Sequence, residues 1–296
     1  MASIKAIVFG ITGQDGHYLT RLLTAKGVEV VGVSRSDEAW IKGDVADLSF
    51  VENLLKAHQP QYIFHLAADS TTQHSGLFEN HAAISTGTLN ILESVRLYCP
   101  QAKVLLSGSA MQFENKGLPI DEKVPFEAKS PYAVARIQSV YAARYYRSAF
   151  GSKIYVGYLF NHDSPLRSEK HVSQKIVAAV KRISQGSKEK LELGNWDVSK
   201  EFNYAGDIVS AMWMLINQDI IFEAVMGCGT AYTIKDWAEY CFKKINRDPR
   251  EFIVLKKDFV PEYKALSSDP RLIKSLGWEP QVGFYQLADM MLDAGA

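Results

Sequence analysis

From Ile4 to about Tyr158, short continuous apolar runs alternate with longer segments of helical period. That pattern predicts a parallel sheet covered on both faces by helices. The predicted strands are Ile4–Phe9, Val28–Val33, Tyr62–Leu66, Lys103–Leu106 and Ile154–Tyr158, with a shorter one near Trp40–Lys42. Helices are expected at about Gly16–Lys26, Ser49–His58, Leu77–Tyr98 and Tyr132–Phe150, the last two unusually long. Beyond Phe160 the pattern loosens into helices near Val172–Gln185, Asp207–Asn217 and Lys235–Lys244, separated by Gly-, Asn- and Asp-containing turns. The expected architecture is α/β: a doubly wound parallel sheet over residues 1–160, rejoined by about 204–226, and a smaller mixed α/β C-terminal region from 161–203 and 227–296.

Composition narrows the partners. Lys plus Arg and Asp plus Glu balance at 33 each, so no global field favours nucleic acid or an anionic membrane. Met1–Lys5 runs straight into a strand-like segment without the regions of a signal peptide, and no apolar run approaches the roughly 20 residues of a membrane span. Cys99, Cys228 and Cys241 form no Cys-x-x-Cys pair and no disulfide framework, which points to a reducing cytoplasm. The histidines lack ligand spacing, so no metal site is expected.

The candidate chemistry begins at Gly10-Ile11-Thr12-Gly13-Gln14-Asp15-Gly16, which follows a strand and opens a helix. In that context the glycines take separate roles in a Rossmann-type dinucleotide site. Gly10 makes the tight turn, Gly13 lets the backbone approach a pyrophosphate, and Gly16 lets the helix pack on the strand. Thr12, Gln14 and Asp15 complete that turn. The second strand ends Ser34-Arg35-Ser36 where an NAD-selective site places an acid, so Arg35 is read as the partner of an NADP 2′-phosphate. Asp44 either accepts from the adenine amino group or caps the helix near Asp47. The run His65-Leu66-Ala67-Ala68 puts two small residues just past a strand end, where a cofactor needs room.

These stretches, with Gly87–Leu92, Ser130-Pro131-Tyr132, Leu159–Pro165, Leu193–Asp207 and Leu276-Gly277-Trp278, resemble the extended short-chain dehydrogenase/reductase family. Within it the likeness is to the branch acting on nucleotide-activated sugars, GDP-mannose 4,6-dehydratases and GDP-4-keto-6-deoxymannose reductases. The resemblance implies hydride transfer at a sugar carbon, with a tyrosine exchanging the hydroxyl proton in a Tyr-x-x-x-Lys pair beside a Ser or Thr. Tyr132 matches the tyrosine and Ser109 the hydroxyl, unless a one-residue slip brings Gly108 there. It further implies Asn161 and Lys200 on the substrate diphosphate, a nucleotide-sugar substrate made for polysaccharide or glycoside assembly, and a homodimer through the helices near 77–98 and 132–150. For those helices a broad contact with the monomer core is the alternative.

The departures carry equal information. Arg136 stands where the family has lysine, keeping the charge that lowers a tyrosine pKa and a reach to a ribose hydroxyl, but with a planar, bulkier head. Met111, after Ala110, stands at the position of the glutamate with which the dehydratases remove the C5 proton, and a thioether does no acid–base work. The substrate arginines of the family align with Lys200 and near Phe259, leaving Arg167, Lys170 and Arg271 as substitute cations. The expected activity is NADP-dependent reduction of a 4-keto-6-deoxy nucleotide sugar, GDP-linked in preference. The alternatives are a 4,6-dehydratase, 4-epimerase or 4-dehydrogenase on the same scaffold, or an NADP-binding protein impaired in catalysis.

Overall fold

The Lys5–Phe9 run (β1) is apolar at every position after its lysine and almost wholly buried, as a strand covered on both faces must be. In the computed structural model, which describes residues 3–294, β1 lies inside a parallel sheet with Glu29–Ser34 (β2), Ile41–Lys42 (β3), Tyr62–His65 (β4), Lys103–Ser109 (β5), Ile154–Leu159 (β6) and a last strand, Glu223–Met226. Met1 and Ala2, expected in the doubly wound region, and Gly295 and Ala296, expected in the C-terminal region, lie outside the described residues.

From one edge the order is β3-β2-β1-β4-β5-β6 and then Glu223–Met226. The strand order reverses between β1 and β4, and in such sheets ligands bind at the carboxyl ends of the strands beside that reversal. Helices Gln14–Ala25 (α1) and Ala205–Ile216 cover one face through Leu19, Leu23, Ile208, Met212 and Leu215. On the other face lie Leu48–His58 (α2), Gly87–Tyr98 and Pro131–Phe150, which bury Val51, Leu54, Leu55, Ile91, Val95 and Val140.

The predicted helix over Leu77–Tyr98 is three segments run together: Leu77–Asn80 (α3), a π turn at His81–Thr86, and Gly87–Tyr98 (α4). Helix Pro131–Phe150 (α5) has clear boundaries. The Ser130 hydroxyl accepts from the Ala133 N–H at 3.1 Å, Pro131 occupies the first turn, and Gly151 ends the helix at φ 66°. That start fixes Tyr132 in the first turn, beside the end of β5.

Segments between β6 and Ala205, together with much of the chain after Met226, build a separate core. Helices Val172–Ser184, Ile234–Lys243 and Phe284–Asp293 pack through Ile176, Trp237, Phe242 and Leu287. Phe202 stacks on Trp237 with ring centroids 4.7 Å apart. Among the described residues no helix is long and apolar enough to cross a membrane.

Candidate active site

Two adjoining clefts open at the carboxyl ends of the strands. The first, of about 290 Å³, is lined by Gly10, Thr12, Gly13, Ser34, Arg35, Asp44, Leu66, Ala67 and Ala68, which gathers most of the expected dinucleotide residues. Its glycines divide as their positions require. Gly10 has φ +85°, and a Cβ there would stand 2.6 Å from the Ala67 nitrogen. A Cβ on Gly16 would stand 2.4 Å from the Ile11 oxygen, so α1 is pressed on its own turn. A Cβ on Gly13 would meet nothing nearer than the Gly10 oxygen at 3.4 Å, so the missing side chain there leaves space in the cleft rather than relieving a clash. Helix α1 starts with no side-chain cap, so its first N–H groups are available to an anion.

The Ser34 hydroxyl accepts from the Ser36 and Asp37 N–H groups at 3.3 and 3.1 Å, folding the turn that carries Arg35. Arg35 itself is exposed and makes no hydrogen bond or ion pair among the described residues. Asp44 Oδ1 accepts from the Ala46 N–H at 2.9 Å, a local turn bond that leaves its other oxygen on the cleft.

Gln14 and Asp15 do not line this cleft. The Gln14 amide donates to the His162 carbonyl at 3.2 Å and accepts from the Ser164 hydroxyl at 2.9 Å, while Asp15 Oδ1 lies 2.9 Å from His162 Nε2. Helix α1 is thereby clamped to the loop after β6. Burial alone would disfavour both charges of that pair, yet each partner's charge and hydrogen bond hold Asp15 below, and His162 above, its ordinary range.

The second cleft, of about 360 Å³, shares Leu66 and Ala68 with the first and brings together Ser109, Met111, Tyr132, Arg136 and Asn161, with Asp15, His162 and Arg167. Ser109 ends β5, and its oxygen accepts from the Met111 N–H at 3.2 Å, leaving the hydroxyl proton to donate elsewhere. The Tyr132 hydroxyl has no hydrogen bond among the described residues, and the Arg136 guanidinium sits 5.0 Å from its ring centroid. Arg136 is buried; its Nη1 donates to the Ser107 hydroxyl at 2.9 Å and to the Ser107 carbonyl, and its Nε has no partner among the described residues. Close by, burial and the Arg136 charge push fully buried His65 down to about 3, so it is neutral and Arg136 is the positive charge behind the site.

Lys200 lies elsewhere than expected. It is buried 3.9 Å from the buried Asp163 carboxylate, with its ammonium 4.7 Å from the centre of the Phe202 ring, and it lines neither cleft. Besides Arg136, the second cleft is lined by Arg167, whose Nε is 3.4 Å from Asp163 and whose Nη2 donates to His171 Nδ1 at 3.0 Å. Burial and Arg167 push His171 down to about 4, which keeps it a neutral acceptor. Asn161 borders the same cleft and accepts from the Tyr263 hydroxyl at 3.4 Å. Two carboxylates line it: Asp15, already paired, and Glu262, which accepts from the Thr72 hydroxyl. Neither stands in the turn after Ser109, where Ala110 and Met111 are both apolar. Arg167 is one of the substitute cations expected from sequence, whereas His162, Tyr263 and Glu262 were assigned no site role there, although His162 sits inside the specific Phe160–Pro165 stretch.

Residues 7–291 match the sequence profile of the GDP-mannose 4,6 dehydratase family. GDP-mannose 4,6 dehydratase 1 of Arabidopsis thaliana is 34% identical over 97% of this chain and 88% of its own length. Among solved structures, dTDP-glucose 4,6-dehydratase from Bacillus anthracis in complex with NAD superposes with a TM-score of 0.85 at 17% identity, covering 98% of this chain and 96% of that one. RMD from Pseudomonas aeruginosa complexed with NADPH gives 0.84 at 20% identity, with the same coverages, 98% and 96%.

Proposed function

Since the chain belongs to the GDP-mannose 4,6-dehydratase family, we propose that it is an NADP-dependent oxidoreductase that reduces the 4-keto group of a nucleotide-linked 6-deoxy sugar, GDP-linked in preference. The observation that carries this reading is the turn after β5: Ser109 and the facing Tyr132 are retained, while Ala110 and Met111 offer no carboxylate. Reduction at C4 needs a proton donor and an oxygen-orienting group; elimination of water needs an additional base at the neighbouring carbon.

The residues fit a nicotinamide dinucleotide. Free space over Gly13, the uncapped start of α1 and the exposed Arg35 suit its pyrophosphate and a 2′-phosphate. When bound, that cofactor supplies the hydride. Tyr132 donates its phenolic proton to the sugar oxygen, and the Ser109 hydroxyl donates a hydrogen bond to the same atom. Arg136 favours the phenolate left behind through its charge. Asn161 and Arg167 hold the diphosphate; Lys200 acts on that region through Asp163. Residues 1–160 with 204–226 form the cofactor half in this reading, and 161–203 with 227–296 the substrate half. Exposed Leu89, Leu97, Val134, Tyr141 and Tyr145 on α4 and α5 support pairing of two copies through those helices.

The test is direct. Purified protein oxidises NADPH when given GDP-4-keto-6-deoxymannose and releases no 4-keto product from GDP-mannose. Release of that product, or indifference to the keto sugar, overturns the reading. A second reading, a dinucleotide-binding protein without turnover, is favoured by one observation: Arg136 is already committed to Ser107.

A further inference from the structure

We propose that a chamber opening off the second cleft receives an uncharged, acyl-type substituent on a sugar carbon adjoining C4, so that the substrate is a larger sugar than a plain 6-deoxyhexose. The inference rests on the C4-reduction reading above and names its substrate more closely.

The chamber, of about 520 Å³, is larger than the cleft of about 360 Å³ that holds Tyr132 and Arg136, and neither of those residues lines it. It joins that cleft across Ala110 and Met111, the two residues that follow Ser109, with Tyr263 and Leu266 as common wall. A sugar whose C4 oxygen meets Ser109 and Tyr132 therefore brings its neighbouring ring carbons to the mouth of the chamber. The nucleotide end does not compete for this space, because Asn161 and Arg167 border the cleft and not the chamber.

The wall selects the chemistry of the occupant. Beyond the mouth lie Phe113 and Ala265, and Phe113 is held edge-on against Phe126 and Tyr158 at centroid distances of 5.1 and 4.8 Å. Asn115 is already satisfied, donating to the Ala265 carbonyl at 2.8 Å and accepting from the Gly117 N–H at 2.8 Å. At the rim, Lys116 is paired with Glu114 at 3.0 Å and Lys129 with Glu127 at 2.7 Å, which leaves only the solvent-exposed Lys264 without an ion pair among the described residues. An anionic substituent would lose its hydration here beside the Glu262 carboxylate and with Lys116 and Lys129 already paired, whereas a small acyl group gains from burial. A 6-deoxyhexose bearing only hydroxyl groups would leave most of this volume to water.

The experiment compares two probes, a GDP-linked 4-keto-6-deoxyhexose with a 3-acetamido group and its 3-hydroxyl counterpart, by calorimetric Kd and by NADPH oxidation. The acetamido sugar is expected to bind about tenfold tighter or more, with kcat/KM following. Filling the chamber with Ala265→Leu, or with the milder Ala265→Val should the first not fold, is expected to erase the preference and leave the hydroxyl sugar unchanged. Equal affinities, or a variant that weakens both sugars alike, overturn the proposal. Preferential binding without NADPH oxidation supports the chamber and overturns the reductase reading. Oxidation without preference does the reverse, and binding of neither sugar overturns both.

Discussion

Arg136 Nη1 donates to the Ser107 hydroxyl at 2.9 Å and to the Ser107 carbonyl, which fastens the second turn of α5 to β5 two residues before Ser109. The charge beneath Tyr132 is therefore also a structural tie. Arg136→Met leaves two buried Ser107 acceptors without this donor and is expected to cost about 1–3 kcal/mol, read as a lower urea midpoint. Arg136→Lys keeps the charge without the fork and should be less destabilising. NADPH oxidation by the natural protein supports the enzyme; activity appearing only in Arg136→Lys would assign the natural protein to binding without turnover.

Tyr132→Phe separates chemistry from folding. The hydroxyl has no partner among the described residues, so the unfolding free energy from urea titration should stay within about 0.5 kcal/mol of the natural protein's. Loss of a positioned proton donor is expected to lower kcat by about a hundredfold to ten-thousandfold. An unchanged kcat would remove Tyr132 from the mechanism.

The first half of the fold was legible because its strands are continuous apolar runs punctuated by glycine turns, and β1 to β6 fall within a few residues of the predicted spans. Glu223–Met226 escaped the strand list because four residues after a helix and a turn carry too little period, although a rejoining segment ending near 226 was expected. The π turn at His81–Thr86 leaves no mark on a hydropathy pattern. In the site, the turns at the carboxyl ends of β1 to β4 were legible: Gly10, Gly13, Arg35, Asp44 and Ala67 share a cleft. What the pattern could not give was side-chain direction. Lys200 sits on a short strand with its ammonium turned to Asp163, and Gln14 turns to Ser164; both depend on contacts between segments far apart in sequence.

Gly13→Ala and Gly16→Ala should fail differently. A methyl at Gly13 has room, with its nearest neighbour at 3.4 Å, so the protein should keep its fold and lose dinucleotide affinity. At Gly16 the same methyl would meet the Ile11 oxygen at 2.4 Å, so thermal stability should fall first. Thermal melts with and without NADPH distinguish the two; a Gly13→Ala protein still stabilised by NADPH would remove the pyrophosphate from that turn.

Arg35→Ala tests the cofactor preference. Charge-assisted hydrogen bonds contribute about 1.5–3 kcal/mol, so the Kd for NADPH should rise roughly ten- to hundredfold while that for NADH stays put. Because Arg35 is exposed and makes no hydrogen bond or ion pair among the described residues, stability should not change. Equal weakening of both cofactors would mean that the arginine does not read the 2′-phosphate.

The Asp15–His162 clamp makes stability depend on pH in a definite direction. His162 Nε2 lies 2.9 Å from Asp15 Oδ1 and its Nδ1 lies 2.7 Å from the Phe160 carbonyl, so the charged ring donates at both nitrogens. Burial opposes both charges, but the pairing prevails, raising His162 and lowering Asp15. A raised histidine stabilises fully below its unfolded pKa and loses that contribution as pH rises through the native value. A lowered carboxylate stabilises fully above its unfolded pKa and loses it as pH falls through the native value. Both contributions are complete between about pH 4 and about pH 6.5. The difference in urea midpoint between the natural protein and His162→Gln should therefore be largest in that window and narrow at higher pH. Since the same loop carries Asn161, KM for the nucleotide sugar should rise as the clamp deprotonates, with kcat less affected. A stability gap that stays constant, or widens above neutrality, would show that the pair contributes nothing linked to a proton.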